Sequence, residues 1–110
     1  MAQKFLTKEI TSKIPALRGQ EKKGDNAIVY AHYFNPTGQG DWYLTELDQA
    51  ENMAFGLCCI QEAELGYVDL NELSAVKVRI GLKIERDIHW TPITLAQVKK
   101  IVRGKGYTIH

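Results

Sequence analysis

Trp42-Tyr43-Leu44-Thr45-Glu46-Leu47 and Met53-Ala54-Phe55-Gly56-Leu57-Cys58-Cys59-Ile60 decide how this chain folds. Both runs are rich in aromatic and apolar residues, and turn-forming residues bound them. In the second run alternate residues separate by size. Met53, Phe55 and Leu57 point one way; Ala54, Gly56 and Cys58 point the other. A face of small side chains lets a helix approach a sheet closely. Upstream, Ala27 to Phe34 reads as a further strand, and Asn35-Pro36-Thr37-Gly38-Gln39-Gly40-Asp41 is dense enough in turn formers to close a hairpin. The spacing predicts a three-stranded antiparallel meander.

Outward from this centre, helical signals appear at both ends. Thr7 is placed to cap a short helix from Lys8, with Ile10, Ile14 and Leu17 at helical spacing; Pro15 ends or kinks it near Ile14. Arg18 to Asn26 reads as a loop. Glu64 to Val68 suggests a short fourth strand, and Asp69-Leu70-Asn71-Glu72 opens a short helix through about Ala75. Lys77 to Lys83 alternates basic and apolar residues, as either an edge strand or an extended loop. Asp87 to Thr91 suggests one more strand, stopped by Pro92. Thr94-Leu95-Ala96-Gln97 has the T-x-x-Q form of a capping box. It opens a helix with Leu95, Val98, Ile101 and Val102 inward, Lys99, Lys100 and Arg103 outward, and Gly104 at its end. The tail Lys105 to His110 is expected to be loose. The whole predicts an α+β fold: an antiparallel sheet of three to five strands packed with N-terminal and C-terminal helices, residues 1–110 forming a single domain.

Charge is distributed in blocks. From Gly24 to Val76 there is no lysine and no arginine, against nine carboxylates: Asp25, Asp41, Glu46, Asp48, Glu51, Glu62, Glu64, Asp69 and Glu72. Both flanks are basic, so the net charge of +1 conceals two electrically opposite regions. Hydrophobic content of 45% and charged content of 25% are those of an ordinary soluble globular protein. No apolar run is long enough to span a bilayer, and the opening Met1-Ala2-Gln3-Lys4 lacks the apolar core of a signal peptide. Adjacent Cys58 and Cys59 would point to opposite faces of a strand, so free thiols are expected, in keeping with the cytoplasm.

Few residues offer chemistry. Glu46 and Asp48 share a face of a strand, and so would Glu62 and Glu64; with Glu85 and Asp87 they could make an oxygen-rich cation site for a metal-dependent hydrolase or nuclease. The plainer reading, which outweighs the metal site, is that these carboxylates are solvated or pair with Lys77, Arg79, Lys83 and Arg86. In Glu85-Arg86-Asp87 the arginine fork suits a structural clamp on a carboxylate. His32 alternates with Tyr30 and Phe34 and is expected to be packed and hydrogen-bonded; its pairing with Cys58 or Cys59 as a catalytic couple is the sharper alternative. No zinc spacing exists. Gly38-Gln39-Gly40 is a turn rather than a phosphate cradle. Lys99, Lys100, Arg103 and Lys105 could touch nucleic-acid phosphates, with Tyr107 stacking on a base, although the pI is only 7.8. Exposed Trp42, Tyr43 or Trp90 would be aromatic anchors for a protein partner.

Leu6-Thr7-Lys8-Glu9-Ile10, Ile14-Pro15-Ala16-Leu17, Trp42-Tyr43-Leu44-Thr45-Glu46, Phe55-Gly56-Leu57, Glu64-Leu65-Gly66-Tyr67 and Ile84-Glu85-Arg86-Asp87 together resemble an uncharacterised bacterial family, domain of unknown function 2958. Its members are small proteins often carried by plasmids, integrative elements and phages. The resemblance implies a setting, a mobile genetic element in the bacterial cytoplasm, and assigns no catalytic residue. The leading expectation is a non-enzymatic accessory protein that binds a protein, with host defence or replication components as candidate targets. The binding candidates are Trp42, Glu46, Glu64, Tyr67, Glu85, Arg86 and Asp87. No cofactor, metal ligand or membrane partner is assigned.

Overall fold

A computed structural model describes residues 4–110; Met1, Ala2 and Gln3, the start of the segment read for a leader, lie outside the described residues. The fold is α+β. In chain order it comprises α1 (Lys8–Lys13), a 3-10 segment (Glu21–Asn26), β1 (Ile28–Val29), β2 (Ala31–Phe34), β3 (Asp41–Asp48), β4 (Met53–Cys59), β5 (Ala63–Asp69) and α2 (Leu70–Ala75). A 3-10 turn (Arg79–Gly81), β6 (Glu85–Arg86), β7 (Ile93–Thr94) and α3 (Leu95–Gly104) follow. Five strands form an antiparallel sheet in the order β5-β4-β3-β2-β6, and β1 pairs with β7 in a separate two-stranded ladder. The meander of β2, β3 and β4 is the one the turn signals predict.

Each face of the sheet has its own core. On one face Ala31, Tyr33, Leu44, Leu47 and Ala54 pack with Ile14 after α1 and with Leu70 and Leu73 of α2. On the other, Tyr43, Leu57, Cys59 and Ala63 pack with Val29 and with Leu95, Val98 and Val102 of α3. The register between β3 and β4 shifts between Leu44 and Glu46, so Thr45 is an extra residue in β3. This bulge places both Leu44 and Leu47 in the first core and turns Glu46 to the opposite face, opposite Phe55. The small residues of β4 serve two purposes. Ala54 receives the α2 leucines. Gly56 accommodates the bulge: a Cβ there would lie 1.9 Å from the Tyr43 carbonyl oxygen.

Local capping explains the helices. The Thr7 side chain accepts from the Ile10 amide, and Asp69 accepts from the amides of Asn71 and Glu72. Thr94 and Gln97 form the reciprocal capping box. Three expectations are corrected, and one open alternative is decided. The strand expected over Ala27 to Phe34 divides at Tyr30, its first part turning to β7 and its second to β3. Of the two alternatives for Lys77 to Lys83 the loop is the one formed, tightened by a bridge between Lys77 and Lys83 with Ile80 at its tip. The strand expected at Asp87 to Thr91 is a turn, because the Asp87 carboxylate accepts the His89 amide. Ile101 is exposed rather than buried.

The tail differs most from expectation. The left-handed glycine at the end of α3 is Gly106 (φ 97°), and Gly104 remains helical. The Gly106 amide donates to the Arg103 carbonyl and the Tyr107 amide to the Val102 carbonyl, the paired bonds of a Schellman turn. The turn sends residues 107–110 back onto the sheet. Tyr107 is buried, the Ala63 amide donates to Thr108, and the His110 amide donates to Ala63. Thr108 to His110 thus lies beside β5 in parallel, where a loose tail was expected.

Candidate functional site

Helix α3 covers only part of its face of the sheet. Beyond it, Phe55 of β4 and Leu65 and Tyr67 of β5 remain accessible, and Tyr67 is 63% exposed. Its ring meets Phe55 edge to face, with centroids 5.0 Å apart. A groove of about 250 Å³ runs between these residues and the segment Arg18–Ala27, with Thr45, Glu46 and Leu95 completing its lining.

The wall of that groove is held by buried polar bonds. Glu46 is 5% exposed; one oxygen accepts the Arg18 amide at 2.7 Å and the other the Gln20 amide at 2.9 Å. The Gln20 side chain donates to the carbonyls of Ile28 and Thr45 and accepts the Ile28 amide. One carboxylate and one carboxamide therefore fix the loop after α1 over the sheet. Glu46 shapes the groove, and both of its oxygens are committed to backbone amides.

A second polar cluster lies at the other end of the same face. Asp41 is 5% exposed and receives His32 Nε2 at 2.7 Å, Lys105 Nζ at 2.9 Å and the Tyr107 hydroxyl at 3.2 Å. His32 Nδ1 faces Asp87 at 2.9 Å, and the imidazole stacks on Tyr43 with centroids 4.4 Å apart. With a carboxylate at each nitrogen, the ring donates twice only as the imidazolium. Burial pushes the Asp41 carboxyl up, but hydrogen bonds from His32 and Lys105, and their charges, outweigh it and hold the group below the usual carboxylate range. Burial, with Asp41 nearby, pushes the Tyr107 hydroxyl up to about 12. The cluster pins the C-terminal tail to the sheet.

The cysteine couple does not form. Both thiols are free, and burial raises Cys58 to about 11 and Cys59 to about 12, away from thiolate chemistry. His32 is engaged by carboxylates on both sides. The carboxylates considered for a cation do not converge either. Glu46 and Asp48 share one face, Glu64 lies opposite Cys58 on the other, and Glu85 is on β6 at the far edge. Among the described residues no three metal-ligating side chains gather.

The remaining candidates scatter. Trp42 is half-buried against the first core, Tyr43 is buried, and the half-buried Trp90 donates its indole N–H to Val29, so the expected aromatic anchors are structural. Arg86 donates from Nε to the Lys4 carbonyl, and Glu85 is exposed. Lys99 pairs with Asp25 at 2.7 Å and Lys105 with Asp41, while Lys100 and Arg103 are exposed. Of the binding candidates, Glu46 and Tyr67 line the groove beside α3, and Arg86 and Asp87 line a smaller one beside α1. Sequence reasoning missed Phe55, Leu65 and Gln20 as neighbours of Glu46 and Tyr67. The period-two alternation of β4 and β5 carries the signal for Phe55, Leu65 and Tyr67, which share one face.

The model of one family, described as a protein of unknown function (DUF2958), matches residues 5–107. The chain belongs to this family. The match spans every strand and helix of the fold, including the capped α3 and the turn that returns the tail. No curated protein and no solved structure matches the chain. Among the described residues no helix is long and apolar enough to cross a membrane.

Proposed function

We propose that this DUF2958 protein is a non-enzymatic accessory protein of a mobile genetic element that works by binding another protein through the open face formed by Phe55, Leu65 and Tyr67. The observation that carries this reading is Tyr67, 63% exposed beside exposed Leu65 above a groove. Large aromatic side chains at a groove rim are the kind of residue that dominates binding energy at interfaces. Host defence or replication components remain the candidate partners, from the setting the family resemblance implies. Capture from a bacterial host with the intact protein and with Tyr67→Ala tests it. A partner retained by the intact protein and lost by the variant, with Trp42→Phe unaffected, is the expected result. Equal capture by Tyr67→Ala would remove this face from consideration.

A further inference from the structure

The two edges of the five-stranded sheet are unlike. The β6 edge is only two residues long, which by itself protects an edge. The β5 edge is seven residues long, with no proline, no lysine and no bulge in its pairing to β4. Its outward groups can be assigned from the tail. The Ala63 amide and carbonyl both bond the returning segment, so they point away from β4. Backbone direction alternates along a strand, so the amides and carbonyls of Leu65 and Tyr67 point the same way. The tail ends its bonding at Ala63, through His110. The edge thus already holds one short parallel segment, and among the described residues no backbone bond occupies the outward groups of Leu65 and Tyr67.

Charge and shape define what would fit. A strand laid beside Leu65 and Tyr67 would turn alternate side chains over the groove, next to Phe55, Leu65 and Tyr67. The intervening side chains would lie on the opposite face, beside Glu64. Glu64 is exposed and, among the described residues, makes no ion pair; no lysine or arginine occurs between Gly24 and Val76 to supply one locally.

We propose that β5 accepts an extended segment of the partner protein as an added strand, with apolar side chains over the groove and lysine or arginine over Glu64. The proposal rests on the protein-binding reading of this face and names its mode: main-chain bonds at Leu65 and Tyr67 supply affinity, and alternate side chains supply selection.

The probe is an acetylated peptide alternating lysine and leucine, compared with a copy N-methylated at the amides facing β5 and a copy with glutamate for lysine. Binding is followed by titration and by amide hydrogen exchange. The parent peptide should slow exchange at Leu65 and Tyr67, N-methylation should weaken binding by about tenfold or more, and the glutamate copy should not bind. Leu65→Pro, which removes an outward N–H, should weaken the parent peptide beyond Leu65→Ala. Equal affinity of parent and N-methylated peptides, with binding still lost in Tyr67→Ala, would overturn strand addition and leave the protein-binding face standing. Peptide binding unchanged in Tyr67→Ala would count against both.

Discussion

Glu46 and Gly56 show how much of the groove depends on single atoms. Replacing Glu46 with alanine leaves the Arg18 and Gln20 amides without their acceptor, so a loss of about 3 kcal/mol is expected, measured by urea denaturation. Glu46→Gln keeps one acceptor oxygen and should fall between. At Gly56 a methyl group would meet the Tyr43 carbonyl at 1.9 Å. The strand cannot move aside without opening the ladder, so Gly56→Ala should cost about 3 kcal/mol. Asp41 gives a pH signature. Its folded pKa is depressed, so its contribution to stability is present above the unfolded value near 3.9 and is lost as pH falls through the folded value. The midpoint of thermal unfolding should therefore drop on acidification below about pH 4, and Asp41→Asn should flatten that acid limb. An unchanged acid limb in the variant would refute this role for Asp41.

At the scale of elements, the caps and turns were legible because their chemistry is local. Thr7, Asp69 and the Thr94–Gln97 pair each act within a few residues, and each sits where its spacing predicts. The meander was legible for the same reason. The bulge at Thr45 was not, because it exists only in the pairing of two strands, and period-two reading of β3 alone cannot place an extra residue. The tail was misjudged through its glycines. Gly104 satisfies the usual spacing for a helix stop, yet Gly106 takes the left-handed conformation. Alternation of Tyr107 and Ile109 with Thr108 and His110 was the overlooked sign of an extended segment. Gly106→Ala should cost about 1 kcal/mol in thermal unfolding. It should also loosen Tyr107, seen as faster exchange of the Ala63 amide.

Across the whole molecule, the charge blocks meet as well as separate. Lys99 with Asp25 and Lys105 with Asp41 tie the basic C-terminal region to the acidic sheet, and His110 reaches Glu62. The Asp25 side chain is 57% exposed, so Lys99→Ala should change stability by less than about 1 kcal/mol. These long-range partners are separated by up to 74 residues, which is why spacing could not reveal them. The parallel run of Thr108 to His110 beside β5 also has a practical consequence. A purification handle fused after His110 would be tethered beside Leu65 and Tyr67 at high effective concentration. It could fill the vacant edge of its own molecule and mask the very event an assay seeks.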